Sequence, residues 1–390
     1  MCPYGRVFLM SILYGQFLQP SASASLEDCA LSFLPSGLSE GKEVKIAEET
    51  SQKIKNMSIL CTVFVVSIHI GLPESLDSST WFLTQLIPNG IANIAVPFFY
   101  VVSGFFLALH IGESGWWKRE NRKRLFSLLI PLYVCTAIYV LATVPLSIYA
   151  DIIAHRPFGT SIFFLHGISW IELTNLDLTD YPHVGPLWYV RNLLILVFIS
   201  PIVDALVRRL SYCWLALCFV GILFVNHLPL DPKNVFFTHG FSFTALFYFS
   251  VGLFICHKKF SKPTRFTGIA CGIIGIALLS ARIFCFYHNL HFYSSFGKIS
   301  LPFLMIATWC FMPTGKWPIW LTSSSFAIYL LHELFFVHID LIAKHLPNVD
   351  PLSPTRAIVK FVVGFVGSIV LTIILRRFLP KTSKVLFGGR

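Results

Sequence analysis

"LFSLLIPLYVCTAIYVLATVPLSIY", residues 125–149, carries no charged side chain, and it follows directly on "WWKRENRKR", residues 116–124, which holds five Lys and Arg. An apolar run longer than about 20 residues has the length of a helix that crosses a bilayer core. A surface helix of a soluble protein that long would keep a polar face. The basic block in front marks the end held in the cytoplasm, because anionic lipid and the membrane potential retain Lys and Arg there.

Outward from this stretch the same alternation repeats. Ten apolar segments are expected, over 54–72, 91–111, 125–149, 184–206, 211–228, 237–256, 266–286, 298–313, 318–344 and 355–379. With the N-terminus inside, the cytoplasmic segments are 116–124, "RRLS" (208–211), "HKKFSKPTR" (257–265), "TGKW" (314–317) and the tail "RRFLPKTSKVLFGGR". All are positive, whereas the outward segments "PESLDSST", "IELTNLDLTDYPH", "LPLDPKN" and "HLPNVDPLSPTR" are acidic or nearly neutral. The pattern predicts an all-α, polytopic transmembrane bundle of about ten helices with both termini cytoplasmic.

Composition agrees: 55% of the 390 residues are hydrophobic and 13% charged, far from a soluble globular domain. The net charge of +11 sits in short inter-helix segments and the two ends, not along a face that could track a phosphate backbone, which argues against nucleic acid. Ten cysteines are spread singly, with no CxxC and no paired Cys/His spacing, so they read as small apolar residues and not as metal ligands or a disulfide framework. Residues 1–50 begin like a signal peptide, but "EGKEVKIAEETSQKIK" then precedes the first helix with lysines that favour the inside. They are expected to form a disordered cytoplasmic tail, ahead of a membrane domain over 51–380 and a short cytoplasmic tail over 381–390. The long outward loop after the third helix, with Trp170 and Tyr181, is expected to re-enter the membrane or lie along it.

Ionisable groups at membrane depth are costly, about 2.5–3.5 kcal/mol on insertion scales, so each asks for a reason. His69 ends helix one in "VVSIHIG"; it is either an interfacial histidine bonded to a carbonyl or water, or a general base. Helix four opens "GPLWYVRNLLILVFISP" with Trp188, Tyr189, Arg191 and Asn192. Arg191 cannot shed its charge, so it snorkels or meets a carboxylate, a cavity or an anionic ligand. His332 and Glu333 lie within helix nine, about 100° apart, and could be only a bundle-internal polar contact. Ser103 and Gly104 in helix two suit close packing, with Ser103 also a candidate for substrate contact. Lys118, Arg119, Arg122, Lys123 and Arg124 either set topology or form an anion-binding mouth for a phosphate-bearing donor.

Five strings, "VVSIHI", "VPFFYVVSGFF", "KRLFSLLIPLY", "GPLWYVRNLLILVFISP" and "SFAIYLLHELFF", together resemble the acyltransferase family 3 membrane proteins, in the family's order and over most of 54–379. The resemblance implies transfer of an acyl group, often acetyl from coenzyme A, to a hydroxyl of a cell-surface sugar such as a polysaccharide or lipopolysaccharide. The implied location is the inner membrane of a bacterium. The family's helix-one histidine maps onto His69. The family often has a basic residue eleven positions earlier, where this chain has Ser58, with Lys53 and Lys55 nearby.

Combined with the residue chemistry, the expected catalytic pair is His69 as base and Arg191 as oxyanion or donor ligand. Trp188, Tyr189, Asn192, Ser103 and His332 are expected to bind substrate. Lys118, Arg119, Arg122, Lys123 and Arg124 are expected to bind acetyl-CoA or another acyl-CoA. Such a bundle could alternatively be a secondary transporter or a non-catalytic glycan-assembly protein.

Overall fold

The computed structural model describes residues 47–71, 80–153, 155–158, 184–225, 237, 241–258, 262–290, 292–345 and 353–387. Nearly all of the N-terminal tail and the loop with Trp170 and Tyr181 lie outside the described residues. Every regular element among them is helical. In chain order they are α1 (Glu48–Ile68), α2 (Trp81–Leu86), α3 (Ala95–Ala108), α4 (Trp116–Arg124), α5 (Ile130–Ile153), α6 (Trp188–Phe198), α7 (Ser200–Leu210) and α8 (Tyr212–Val225). There follow α9 (Phe243–Lys258), α10 (Arg265–Tyr287), α11 (Tyr293–Phe311), α12 (Ile319–Thr322), α13 (Ser325–His345), α14 (Pro354–Phe378) and α15 (Pro380–Leu386).

Among the described residues, five helical stretches are long and apolar enough to cross a membrane: Trp81–Ala108, Trp116–Ile153, Arg265–Tyr287, Ser325–Ala343 and Pro354–Phe378. A sixth is the pair α6 and α7, if a span bent by 70° counts as one, and α8 and α9 are shorter apolar helices. Multiple apolar helices make this an integral, multi-pass membrane protein.

Two expected segments differ in detail. The segment 184–206 is not straight, because Pro201 in the first turn of α7 offers no N–H to the Val197 carbonyl; the Ser200 hydroxyl bonds that carbonyl instead, at 2.6 Å. The basic block 116–124, read as a connecting loop, is the helix α4 and runs into α5 through a five-residue π turn, Leu125–Leu129.

Close packing depends on small residues where backbones meet. A Cβ on Gly104 of α3 would stand 2.2 Å from the Phe249 carbonyl oxygen of α9, and one on Gly252 of α9 would stand 2.1 Å from the Val101 oxygen. The two helices therefore cross backbone to backbone, the arrangement glycine permits in membrane bundles. α1 stops for a related reason: His69 is its C-cap and Gly71 adopts φ +73°, a left-handed conformation that closes a helix at little cost.

Candidate active site

α1 and α13 run side by side in parallel register. Thr62 Oγ1 meets Ser325 Oγ at 2.6 Å, and seven residues further along both chains the His69 and His332 rings stand 5.5 Å apart between centroids. His69 lies at the end of α1, half-buried, while His332 is fully buried. His332 Nδ1 is 3.0 Å from the Ile328 carbonyl oxygen. A carbonyl only accepts, so Nδ1 carries the hydrogen and the neutral ring keeps its lone pair on Nε2. That Nε2 is buried and has no hydrogen-bond partner. Ile328 thus fixes a tautomer whose basic nitrogen is unspent, one ring away from His69.

Charge close to this pair comes from residues of α13 and α14 that the sequence alone did not single out. Lys360 of α14 donates to Asp340 of α13 at 3.0 Å, and Arg356 bonds the other carboxylate oxygen at 2.5 Å. Lys360 Nζ also lies 5.0 Å from the centre of the Phe336 ring, which in turn meets His332 edge-on at 5.5 Å. On the other side, the same ammonium is 3.8 Å from where a Cβ on Gly71 would be, two residues past His69. A cation therefore stands beside the imidazoles, with its own carboxylate partner holding it. Glu333, neighbour of His332 in sequence, has a buried Oε2 with no hydrogen-bond partner.

The string that opens helix four packs on the same helix, α13. Tyr189 meets Tyr100 of α3 at 4.8 Å with the rings tilted, and Tyr329 edge-on at 5.6 Å; Tyr329 lies one turn from His332 and donates its hydroxyl to the Pro186 carbonyl. Arg191 is 4% exposed, close enough for its charge to act on the Tyr100 hydroxyl. The Asn192 amide is engaged with protein: its oxygen accepts from the Ser242 N–H at 3.2 Å, and its nitrogen donates to the Trp188 carbonyl. Trp188 is half-buried, as is Ser103, which immediately precedes the Gly104 crossing.

The five basic residues of α4 stay together but elsewhere. Lys118, Arg119, Arg122, Lys123 and Arg124 line one groove of about 1120 Å³ that Lys384 of α15 also lines. Arg119 pairs with Glu113, and Lys123 with Glu120 at 2.9 Å. The groove shares no lining residue with the imidazole pair. At the family's usual basic position, Ser58 donates its hydroxyl to the Ile54 carbonyl at 2.7 Å.

The reading from sequence missed Lys360, Asp340 and Arg356. Their signal was present as charges inside the segments 318–344 and 355–379, with Arg356 and Lys360 four apart on one helix face.

No curated protein and no solved structure matches this chain. The pattern of the acyltransferase domain family does match, over residues 53–377, from the first turns of α1 to the end of α14. That match covers every helix that contributes to the imidazole pair and sets aside the transporter and the non-catalytic assembly protein: the chain belongs to acyltransferase family 3 and is a membrane acyltransferase.

Proposed function

We propose that the protein moves an acyl group, acetyl from coenzyme A in the simplest case, to a hydroxyl of a cell-surface sugar, with His69 as general base. The observation that carries this reading is the His69–His332 pair, with its rings 5.5 Å apart and an unpartnered Nε2 on His332. At that separation a nitrogen of each ring can reach the other ring or one shared hydroxyl. His69 takes the proton as the sugar oxygen attacks the thioester carbonyl. The C–S bond then breaks, and the proton passes to the departing thiolate, leaving an ester and a free thiol. His332 orients His69 through Nε2, as the third member of a triad orients its base. Lys360 and Arg191 are the cations that favour the oxyanion or the donor's anionic part, and Trp188, Tyr189, Asn192 and Ser103 are the walls around the acceptor.

The α4 groove suits the phosphates of the donor, since the five cations of α4 and Lys384 line it and, among the described residues, only Arg119 and Lys123 of these form salt bridges. On this reading the chain is a ten-span protein of a bacterial inner membrane with both termini in the cytoplasm; the shared side of the basic segments is supported by how they meet. Lys262 bonds Glu49 and Lys316 bonds Glu48, each at 2.9 Å, at the start of α1; Lys384 of the C-terminal tail faces α4.

The test is mass spectrometry of surface glycans from cells carrying wild-type protein, His69→Ala or no protein. Loss of a positioned general base lowers the rate about 10²- to 10⁴-fold, so the acyl mass should vanish with His69→Ala while protein abundance in the membrane stays normal. Persisting acylation removes His69 from the mechanism.

A further inference from the structure

A second basic cavity, of about 630 Å³, opens between the first turns of α1, the start of α10 and the end of α11. Glu49 and Lys53 line it from α1, Lys262 and Arg265 from the approach to α10, and Trp309 from α11. Lys262 is occupied by Glu49 at 2.9 Å. Lys53 lies over the Trp309 ring at 5.8 Å, and neither Lys53 nor Arg265 forms a salt bridge among the described residues. Three cations against one carboxylate leave the cavity positive, and the N-terminal end of the 23-residue α10 adds its dipole. It shares no residue with the α4 groove.

What lies next to the cavity narrows the ligand. Phe266, Ile269, Ile273 and Ile276 of α10 are 51–68% exposed and, spaced three and four apart, form one stripe that begins beside Arg265. The opposite face of α10 is spent on α11, where a Cβ on Gly275 would stand 2.8 Å from Leu304. A positive cavity at the head of an outward apolar stripe matches a phosphate group with a hydrocarbon chain attached. Basic pockets between membrane helices on the cytoplasmic side hold anionic lipid headgroups for the same reason.

We propose that the α1–α10–α11 cavity holds the phosphodiester headgroup of an anionic phospholipid of the inner leaflet, with an acyl chain along the Phe266–Ile276 stripe. The proposal rests on the reading that this end of the bundle is cytoplasmic. Lipid here braces the first turns of α1, the helix that ends at His69.

The experiment is native mass spectrometry of the purified full chain titrated with phosphatidylglycerol or phosphatidylcholine, which reads binding independently of acyl transfer. Wild-type protein should retain one tightly bound phosphatidylglycerol in preference to phosphatidylcholine. Each Lys or Arg near an anionic surface contributes about fivefold, so Lys53→Gln/Arg265→Gln, which leaves the Lys262–Glu49 tie in place, should weaken that site about 25-fold. Lys118→Ala/Arg122→Ala in the α4 groove should leave it unchanged, and free coenzyme A should not displace the lipid. Equal retention of the two lipids by the wild type overturns the proposal, as does undiminished binding by the double variant. Displacement by coenzyme A overturns it too, and assigns the cavity to a nucleotide. The lipid-preference and displacement arms use wild-type protein, so they decide the matter even if the double variant folds poorly.

Discussion

Asp340→Asn is expected to destabilise the protein by stranding Lys360. The carboxylate receives Lys360 on one oxygen and Arg356 on the other, and the Lys360 side chain is 9% exposed while that of Asp340 is 34% exposed. Removing one partner of a buried ion pair costs about 3–5 kcal/mol, because the remaining charge loses its compensation. Water reaches the partly exposed Asp340 position and offsets part of this, which brings the expected cost to roughly 2–3 kcal/mol. The logic is checked by a second substitution. Lys360→Met removes the stranded charge and keeps an apolar stem against Phe336, so Asp340→Asn/Lys360→Met should recover at least about 1 kcal/mol relative to the sum of the single changes. The measurement is reversible unfolding in mixed micelles by titration with sodium dodecyl sulfate, followed by tryptophan fluorescence, for the wild type and the three variants. A single Asp340→Asn within about 0.5 kcal/mol of wild type, the range of an ordinary surface change, refutes the reasoning. So does a double variant whose loss equals or exceeds the sum of the single changes.

Other outcomes follow from separate contacts. His332→Asn keeps a side-chain N–H for the Ile328 carbonyl but deletes the Nε2 lone pair, so acyl transfer in membrane preparations should fall more than tenfold with unchanged protein abundance; a near-normal rate leaves His332 a packing residue. Gly252→Ala places a Cβ about 2.1 Å from the Val101 oxygen, so α3 and α9 must part, at a cost of about 1–3 kcal/mol seen in the same micelle titration. Lys118→Ala/Arg122→Ala should raise the KM for acetyl-CoA in everted vesicles with little change in kcat, and should make that KM less sensitive to salt; an unchanged KM places the donor elsewhere.

Much of the fold was legible because hydrophobic period and loop charge are read from the chain alone. The segments at 266–286 and 355–379 reappear within a few residues as α10 and α14. The bend at Ile199 was harder to see, though Ser200 and Pro201 carry its cause. A proline in a helical pattern does not by itself say how far the helix bends, since Pro145 and Pro302 lie inside continuous helices; at Ile199 the Ser200 hydroxyl takes the carbonyl that Pro201 leaves free. The helicity of 116–124 was hidden by its charge density, since basic blocks between spans read as connectors whether or not they coil. At the candidate site, His69 and His332 were each legible as intramembrane imidazoles, but their meeting was not. Nothing in two segments more than 250 residues apart sets their mutual register; that is fixed by contacts such as Thr62 with Ser325 and Asn56 with the Pro313 carbonyl. Lys360 escaped for the opposite reason. Near the start of a long apolar helix it reads as an interfacial snorkeller, and only the fold brings Gly71 and Phe336 against it.

That register also sets the depth at which chemistry takes place. From sequence, His69 sits near the outer end of helix one, which places acyl transfer at the membrane surface. Yet α13, the parallel neighbour of α1, runs from Ser325 to His345, and His332 lies about 10 Å from its first residue at 1.5 Å rise per residue. Twice that length, about 20 Å, continues past the imidazole pair. On the proposed orientation the pair is therefore closer to the cytoplasmic end of α13 than to the outer end. Measured along α1, whose Thr62 stands level with Ser325, His69 lies about 30 Å from Glu48, so donor and acceptor would both have to enter the bundle to meet there. This depth gives the end of α1 at His69 a purpose. A helix that stops at Gly71 leaves a buried Nε2 and a nearby ammonium facing its end instead of another turn of hydrocarbon. Lengthening α1 by one turn, through Gly71→Ala with inserted leucines, would fill that space, so acyl transfer should be lost while the bundle still assembles; retained transfer would place the reacting groups elsewhere.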